Sequence, residues 1–203
     1  MSDPVRFSLW FLHQPVEELL PRLAQAAAVL PAEALERGVR GIALTAVDWN
    51  QPALVEERFD TGISLDAATD LLRPFTADDC ACEWQLSWSL WMFQESEWRQ
   101  RPMPITFTNF GRRFADHNAV EDGDMVIDFG LDEIFLAELA PWTTSTRQHL
   151  QANILQLLAM CHKLQAALSP VRRQLWSEAE ENSTLDLSER LAQRLQLSQL
   201  NLQ

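Results

Sequence analysis

The sequence predicts an α+β domain: an antiparallel sheet of about five strands around a central three-strand meander, packed by helices, with a helical C-terminal region. Three observations carry this expectation. The stretch Cys82–Phe93, CEWQLSWSLWMF, alternates strictly. Trp84, Leu86, Trp88, Leu90 and Met92 fall on one face; Gln85, Ser87 and Ser89 fall on the other, joined by Trp91 and Phe93. That is a strand with one face on a core. Two more strand-like segments follow with no helix between them, which calls for antiparallel neighbours. From Ser145 onward, apolar residues recur at intervals of four and three, a helical period.

The elements follow in order. Val5–His13 alternates as a strand, with Val5, Phe7, Leu9 and Phe11 on one side. Pro15 suits the first position of a helix whose stripe is Val16, Leu19, Leu20, Leu23, Ala27 and Leu30. Pro21 should kink or restart that helix. Pro31 opens a short second piece, which Gly38 stops. Val39–Trp49 reads as a strand of small apolar residues covered on both faces. Leu54–Phe59 reads as an edge strand, its Glu56, Glu57 and Arg58 discouraging further pairing. Ser64 caps a helix to about Phe75, with Leu65, Ala68, Leu71 and Leu72 inward.

After the Trp-rich strand, Glu95–Pro104 reads as a polar loop with two prolines. Ile105–Phe110 is a strand, and extended chain could run on through Arg112–His117. Glu121-Asp122-Gly123 supplies a turn, and Asp124–Gly130 returns with Met125, Ile127 and Phe129 inward. Ser145 and Gln148 form a capping box. The seam Leu150, Ile154, Leu157, Cys161, Leu164, Leu168, Val171 and Leu175 then holds a heptad period. Ser169-Pro170 should end one helix and start another, to about Ala179. Asn182–Leu185 reads as a loop. A last helix capped by Asp186 and Glu189 would carry Leu187, Leu191, Leu195 and Leu200 before a Gln-rich end. Residues 1–140 form the sheet part and 141–203 a helical region packed on the same domain.

Charge limits the partners. The chain carries a net −13, and Lys163 is its only lysine. A phosphate backbone needs cations to replace its counterions, so nucleic acid is disfavoured, as is an anionic membrane surface. A basic protein partner is favoured. Cys80, Cys82 and Cys161 are an odd set, not a disulfide framework. MSDPVRF lacks a basic segment followed by a long apolar run, and no apolar run approaches membrane-spanning length. A reduced, cytoplasmic setting is expected.

Motifs for named chemistry are missing. There is no Gly-x-Ser-x-Gly elbow, no glycine-rich phosphate loop and no dinucleotide fingerprint. The acidic cluster Asp116, Glu121, Asp122, Asp124, Asp128, Asp132 and Glu133, with His117, is the densest polar group. It departs from the EF-hand pattern, with Val120 and Glu121 at the fifth and glycine positions counted from Asp116. Asp124 and Asp128 share a strand face but stand about 13 Å apart at ~3.3 Å per residue. Asp116, His117, Asp122 and Asp124 remain the weak candidates for a cation, and no cofactor is expected. Trp91, Phe93 and Trp98 beside Arg99 and Arg101 have the composition of a binding surface, unless helices cover them. With Asp124, Asp128 and Asp132 they are the candidate binding residues.

The expected function is a non-catalytic, acidic interaction protein, adaptor-, chaperone- or immunity-like, that binds a basic partner. Its C-terminal seam would serve self-association or be consumed by its own sheet. One alternative is an enzyme or divalent-cation-binding protein using the carboxylates near His117. The other is a small-ligand module with a Trp-lined pocket.

Overall fold

The computed structural model describes residues 3–136, 141–177 and 191. Strand β1 (Pro4–Trp10) buries Val5, Phe7 and Leu9 on one side and leaves Arg6 half-buried on the other. A short 3₁₀ turn, Val16–Glu18, leads into helix α1 (Leu19–Ala27). The expected restart thus falls just before Pro21, which lies in the first turn of α1, where an N–H would have no intrahelical partner. Helix α2 (Ala32–Arg37) stops at Gly38, whose φ of 70° and ψ of −172° are essentially reserved for glycine.

Strands β2 (Val39–Ala46) and β3 (Val55–Ile63) follow, then helix α3 (Leu65–Leu72). Ser64 caps α3 by accepting from the Ala67 N–H at 3.1 Å. Leu71, expected inward, is exposed. The buried stripe runs Leu65, Ala68, Leu72, and Leu71 lies about 100° round the helix from Leu72.

Strand β4 (Cys80–Gln94) contains the Trp-rich stretch, and its partner β5 spans Glu97–Phe110. Glu97–Pro104 is therefore strand, not loop. Glu95 and Ser96 make a two-residue turn, both with positive φ (52° and 68°), the mirror-image turn that matches strand twist. Pro102 and Pro104 are tolerated for a geometric reason. The Phe110 N–H donates to the carbonyl of Asp124, the residue before strand β6 (Met125–Leu131), so the N–H groups of even-numbered residues of β5 point toward β6. The β5–β6 pairing begins only at Thr106. Both prolines thus lack an N–H where no strand among the described residues would have accepted it. The chain does not run on extended after Phe110. Gly111 turns against the backbone of Asp78, whose carbonyl oxygen would lie 2.4 Å from any Cβ there. The connection ends in a single helical turn, α4 (Ala119–Asp122).

After β6 come a short helix α5 (Glu133–Leu136), the long helix α6 (Thr144–Leu168) and strand β7 (Arg172–Ser177). The α6 cap is Thr143, accepting from the Thr146 N–H at 3.1 Å, two residues before the expected Ser145. Ser169 is not an N-cap. It takes a left-handed conformation (φ 47°, ψ 52°) that ends α6, and Val171 then donates to the Trp10 carbonyl at 2.8 Å. The expected second helix is a strand because β1 offers an unpaired edge there. Of the expected last helix only Leu191 lies among the described residues; it is buried in the core, and the rest of that prediction, with the Asn182–Leu185 loop and the Gln-rich end, lies outside them.

Among the described residues the sheet has seven strands, not about five, in the order β3-β2-β4-β5-β6-β1-β7, each antiparallel to its neighbours. The two ends of the chain account for the added width, since β1 and β7 join the meander. β3 is the edge strand its charges predicted. One face of the sheet packs with α1, α3 and α6 into a single core that holds Trp84, Trp88, Phe107 and Phe129. The seam residues Ile154, Leu157, Cys161, Leu164 and Leu168 are spent in that core. No described helix is long and apolar enough to cross a membrane.

Asn153 holds α6 to the sheet. It is fully buried and accepts from the Trp91 N–H at 2.9 Å. Its amide nitrogen donates to the Trp91 carbonyl at 2.7 Å and the Ile134 carbonyl at 2.9 Å. Strand β2 pairs with β4 only as far as Gln85, so this side chain stands in for a missing strand. Replacing Asn153 by Leu would leave three backbone groups without partners. We expect a loss of about 3 kcal/mol in urea unfolding, at ~1–3 kcal/mol per stranded buried group, with an unchanged native circular dichroism spectrum. A loss below ~1 kcal/mol would show that water or a neighbour replaces the amide.

Candidate functional site

The face of the sheet opposite the core is polar, and strand register arranges it into rows. One row runs Gln85, Thr106, Asp128, Arg6, Trp176 from β4 to β7. The next runs Glu83, Thr108, Val126, Ser8, Gln174. Each strand contributes an outward position of its alternation, so the rows exist only once five strands are in register.

A wall rises at one end of these rows. Phe114, in the β5–β6 connection, packs on Ala81 and Phe110. The His117 ring stacks on Phe110 with centroids 3.9 Å apart and planes within 6°. Trp49 meets Phe114 edge-on at 4.8 Å. The Trp49 N–H donates to the Asp116 carboxylate at 2.8 Å, and Ala115 donates to the Val47 carbonyl at 2.7 Å. Val47 itself has φ 73°, an uncommon conformation for a β-branched residue, held by a 2.7 Å bond from its N–H to the Asp79 carbonyl. The strain is local to the turn that presents Trp49.

Floor and wall enclose a cleft of about 420 Å³. Its charged groups are Glu83, Asp116, Asp122 and Asp128 against the single guanidinium of Arg6. Arg6 is already engaged: it stands 3.5 Å from Asp128 and lies over the Trp176 ring at 5.4 Å. The cleft is therefore net negative with aromatic sides, Trp49, Phe110 and Trp176. Burial pushes the Glu83 carboxyl above its usual range, opposed by a 3.3 Å hydrogen bond from the Thr108 hydroxyl and aided by the charge of Glu56. Burial pushes His117 the other way, below the usual imidazole value, opposed by Asp122 and Asp124 and by the Gly123 backbone. Neutral imidazole and a carboxyl reluctant to ionise are what a half-closed cleft produces.

The residues singled out from sequence separate into groups. Asp116, His117, Asp122 and Asp128 line the cleft. Asp124 instead accepts from the Phe11 N–H at 2.7 Å. Asp132 is buried, and its carboxylate accepts from the Asp3 N–H at 3.3 Å. No three His, Cys, Asp or Glu side chains among the described residues gather closely enough to hold a metal ion. Trp91, Phe93 and Trp98 are half-buried, away from the cleft, and form the seat of α6. His149 packs on Trp91 at 4.2 Å and stacks on Trp98 at 5.1 Å; Phe93 meets Trp98 at 5.5 Å. Arg99 pairs with Glu97 at 2.8 Å, and Arg101 is exposed beside it. Sequence reasoning missed Arg6, Trp49, Glu83, Thr106, Thr108 and Trp176. The available signal was Glu83, the one charged residue of β4, at an outward position.

The buried imidazole sets a pH dependence. The folded state binds the His117 proton less readily than the unfolded chain, whose histidines titrate near ~6.5. Stability is therefore lost as pH falls through about 6.5 toward the lower folded-state value. His117→Gln removes this component, so the stability difference between wild type and variant should shrink as urea unfolding is moved from pH 8 to pH 5, a window chosen around that ~6.5 value. A pH-independent difference would mean that the ring titrates normally. No family model, curated protein or solved structure matches this chain, so the cleft's own chemistry carries the functional reading.

Proposed function

We propose that the protein is a non-catalytic interaction protein that offers the polar face of its sheet to a basic partner. The observation that carries this is the cleft's charge balance. Four carboxylates line the cleft with one guanidinium that is already paired, in a chain of net charge −13. A field of this sign draws in cations and speeds their encounter, most strongly at low salt. The polar floor, built from Thr106, Thr108, Glu83 and Asp128, supplies hydrogen-bond acceptors for orientation, and the aromatic sides supply contact area.

A small-ligand role draws support from the cleft's size, which falls within the ~300–1,000 Å³ of small-molecule sites. A polar, net-negative cleft favours a cation over an apolar metabolite. An enzyme would need a base and a nucleophile or metal brought together. The three cysteines are buried in or beside the core, and His117 reaches one carboxylate, Asp122, at 3.8 Å.

The test uses isosteric neutralisation. Glu83→Gln with Asp122→Asn keeps the hydrogen-bond geometry and removes two charges. We expect a partner bound by the wild-type protein to be of high isoelectric point, to dissociate with rising salt, and to bind the double variant at least about tenfold more weakly in calorimetry. A stoichiometric partner that binds both proteins equally well would remove the polar face from consideration.

A further inference from the structure

The inference below rests on the basic-partner reading and narrows it to one chemical group. We propose that the cleft seats a guanidinium, the end of an arginine side chain, on Glu83 and Asp116 against the wall of Trp49 and Phe110.

The cleft already contains the pattern once. Arg6 sits between a carboxylate, Asp128, and an indole, Trp176. The adjoining row and the wall at its end together hold the same ingredients without the cation. Glu83 is half-buried and takes one side-chain hydrogen bond, from Thr108, and no ion pair reaches Glu83 or Asp116 among the described residues. The aromatic partners are present in Trp49 and Phe110.

His117 points to the same occupant by an independent route. Its side chain is 4% exposed and its ring lines the cleft, yet Nε2 has no hydrogen-bond partner. A buried polar atom without a partner calls for an explanation. Asp122 stands 3.8 Å from Nδ1 and favours the proton there, which leaves a lone pair on Nε2. Nε2 is then an unfilled acceptor in the wall of the cleft, closed to solvent, which a donor reaches only as the wall shifts to admit it. An acceptor-rich cleft with flat aromatic sides calls for a flat, donor-rich cation. Guanidinium has five N–H donors in a plane and stacks on rings; an ammonium has three donors around a point and does not. The cleft's 420 Å³ holds a side chain and excludes a folded element. The source we favour is an exposed arginine of a protein partner; a free guanidino compound would present the same group.

The experiment titrates ¹⁵N-labelled protein with three probes at matched ionic strength: ethylguanidinium, a capped Gly-Gly-Arg-Gly-Gly peptide, and its lysine counterpart. The indole N–H signals of Trp49 and Trp176 and the His117 ring report on the cleft; those of Trp91 and Trp98, on the α6 seat, serve as controls. We expect both guanidinium probes to shift the cleft signals alone, with the lysine peptide at least about tenfold weaker. Glu83→Gln should weaken the arginine peptide by a similar factor, and Asp116→Asn provides a second variant should the first unfold. Arginine and lysine peptides that bind alike, shifts at Trp91 rather than Trp49, or no shift at all would overturn the inference. If a basic partner still binds and loses affinity on neutralisation while ethylguanidinium does nothing, the guanidinium seat fails and the interaction surface stands. If ethylguanidinium binds as tightly as the arginine peptide and no basic partner is found, the seat stands and its ligand is a free guanidino compound.

Discussion

The ladder between β4 and β5 runs from Ala81–Phe110 to Gln94–Glu97, longer than anything beside it. β2 pairs with β4 only as far as Gln85, and β6 takes up β5 only from Thr106. Half of the hairpin therefore projects with backbone groups that no strand among the described residues satisfies. An unpaired edge of this length invites pairing with another chain. The two sides solve the problem differently. On β5, Pro102 and Pro104 remove the donors. On β4, the amide of Asn153 takes up both backbone groups of Trp91 and brings α6 with it. The placement of the longest helix follows from that deficit, and so does the fate of Trp91, Phe93 and Trp98, which became its seat.

From Ile154 onward α6 lies in the core, and among the described residues the polar face stays open where the β5–β6 connection does not cover it. The alternation of β4 separates the two environments residue by residue: Trp84 and Leu86 are fully buried in the core, while Glu83 and Gln85 stand on the other side. The cleft is thus the reverse of the core, held by the same pairing. Its wall depends on a close approach, Gly111 against Asp78, and on a strained turn at Val47 that delivers Trp49. Rigid strands below and a packed aromatic wall beside them give the cleft a defined shape before anything enters it, which lowers the ordering cost of binding.

The charge distribution has a local meaning as well as a global one. A net −13 promotes solubility wherever the carboxylates lie. Only some of them meet. Asp124 and Asp132 hold backbone N–H groups outside the cleft; Asp116, Asp122 and Asp128 hold those of Trp49, Asn118 and Gly130, and with Glu83 they share one hollow. The acidic run between Asp116 and Glu133 looked like one cluster along the chain; folding divides it between structural anchors and a common cleft.

What the sequence determined is whatever depends on local period and local chemistry. The face of β4, the stripe of α6, the stop at Gly38, the cap at Ser64 and the edge character of β3 are properties of neighbours a few residues apart. Tertiary structure decided the rest. Glu97–Pro104 is strand because β4 lies beside it, against the usual meaning of two prolines. Pro170–Ser177 is not helix because β1 had a free edge to fill. The cleft was the least legible feature, since Arg6, Glu83, Thr108, Asp128 and Trp176 sit on five strands scattered along the chain. Each looks like an ordinary outward position until hydrogen-bond register sets it beside the others, and register is a property of pairs of strands that no single segment encodes.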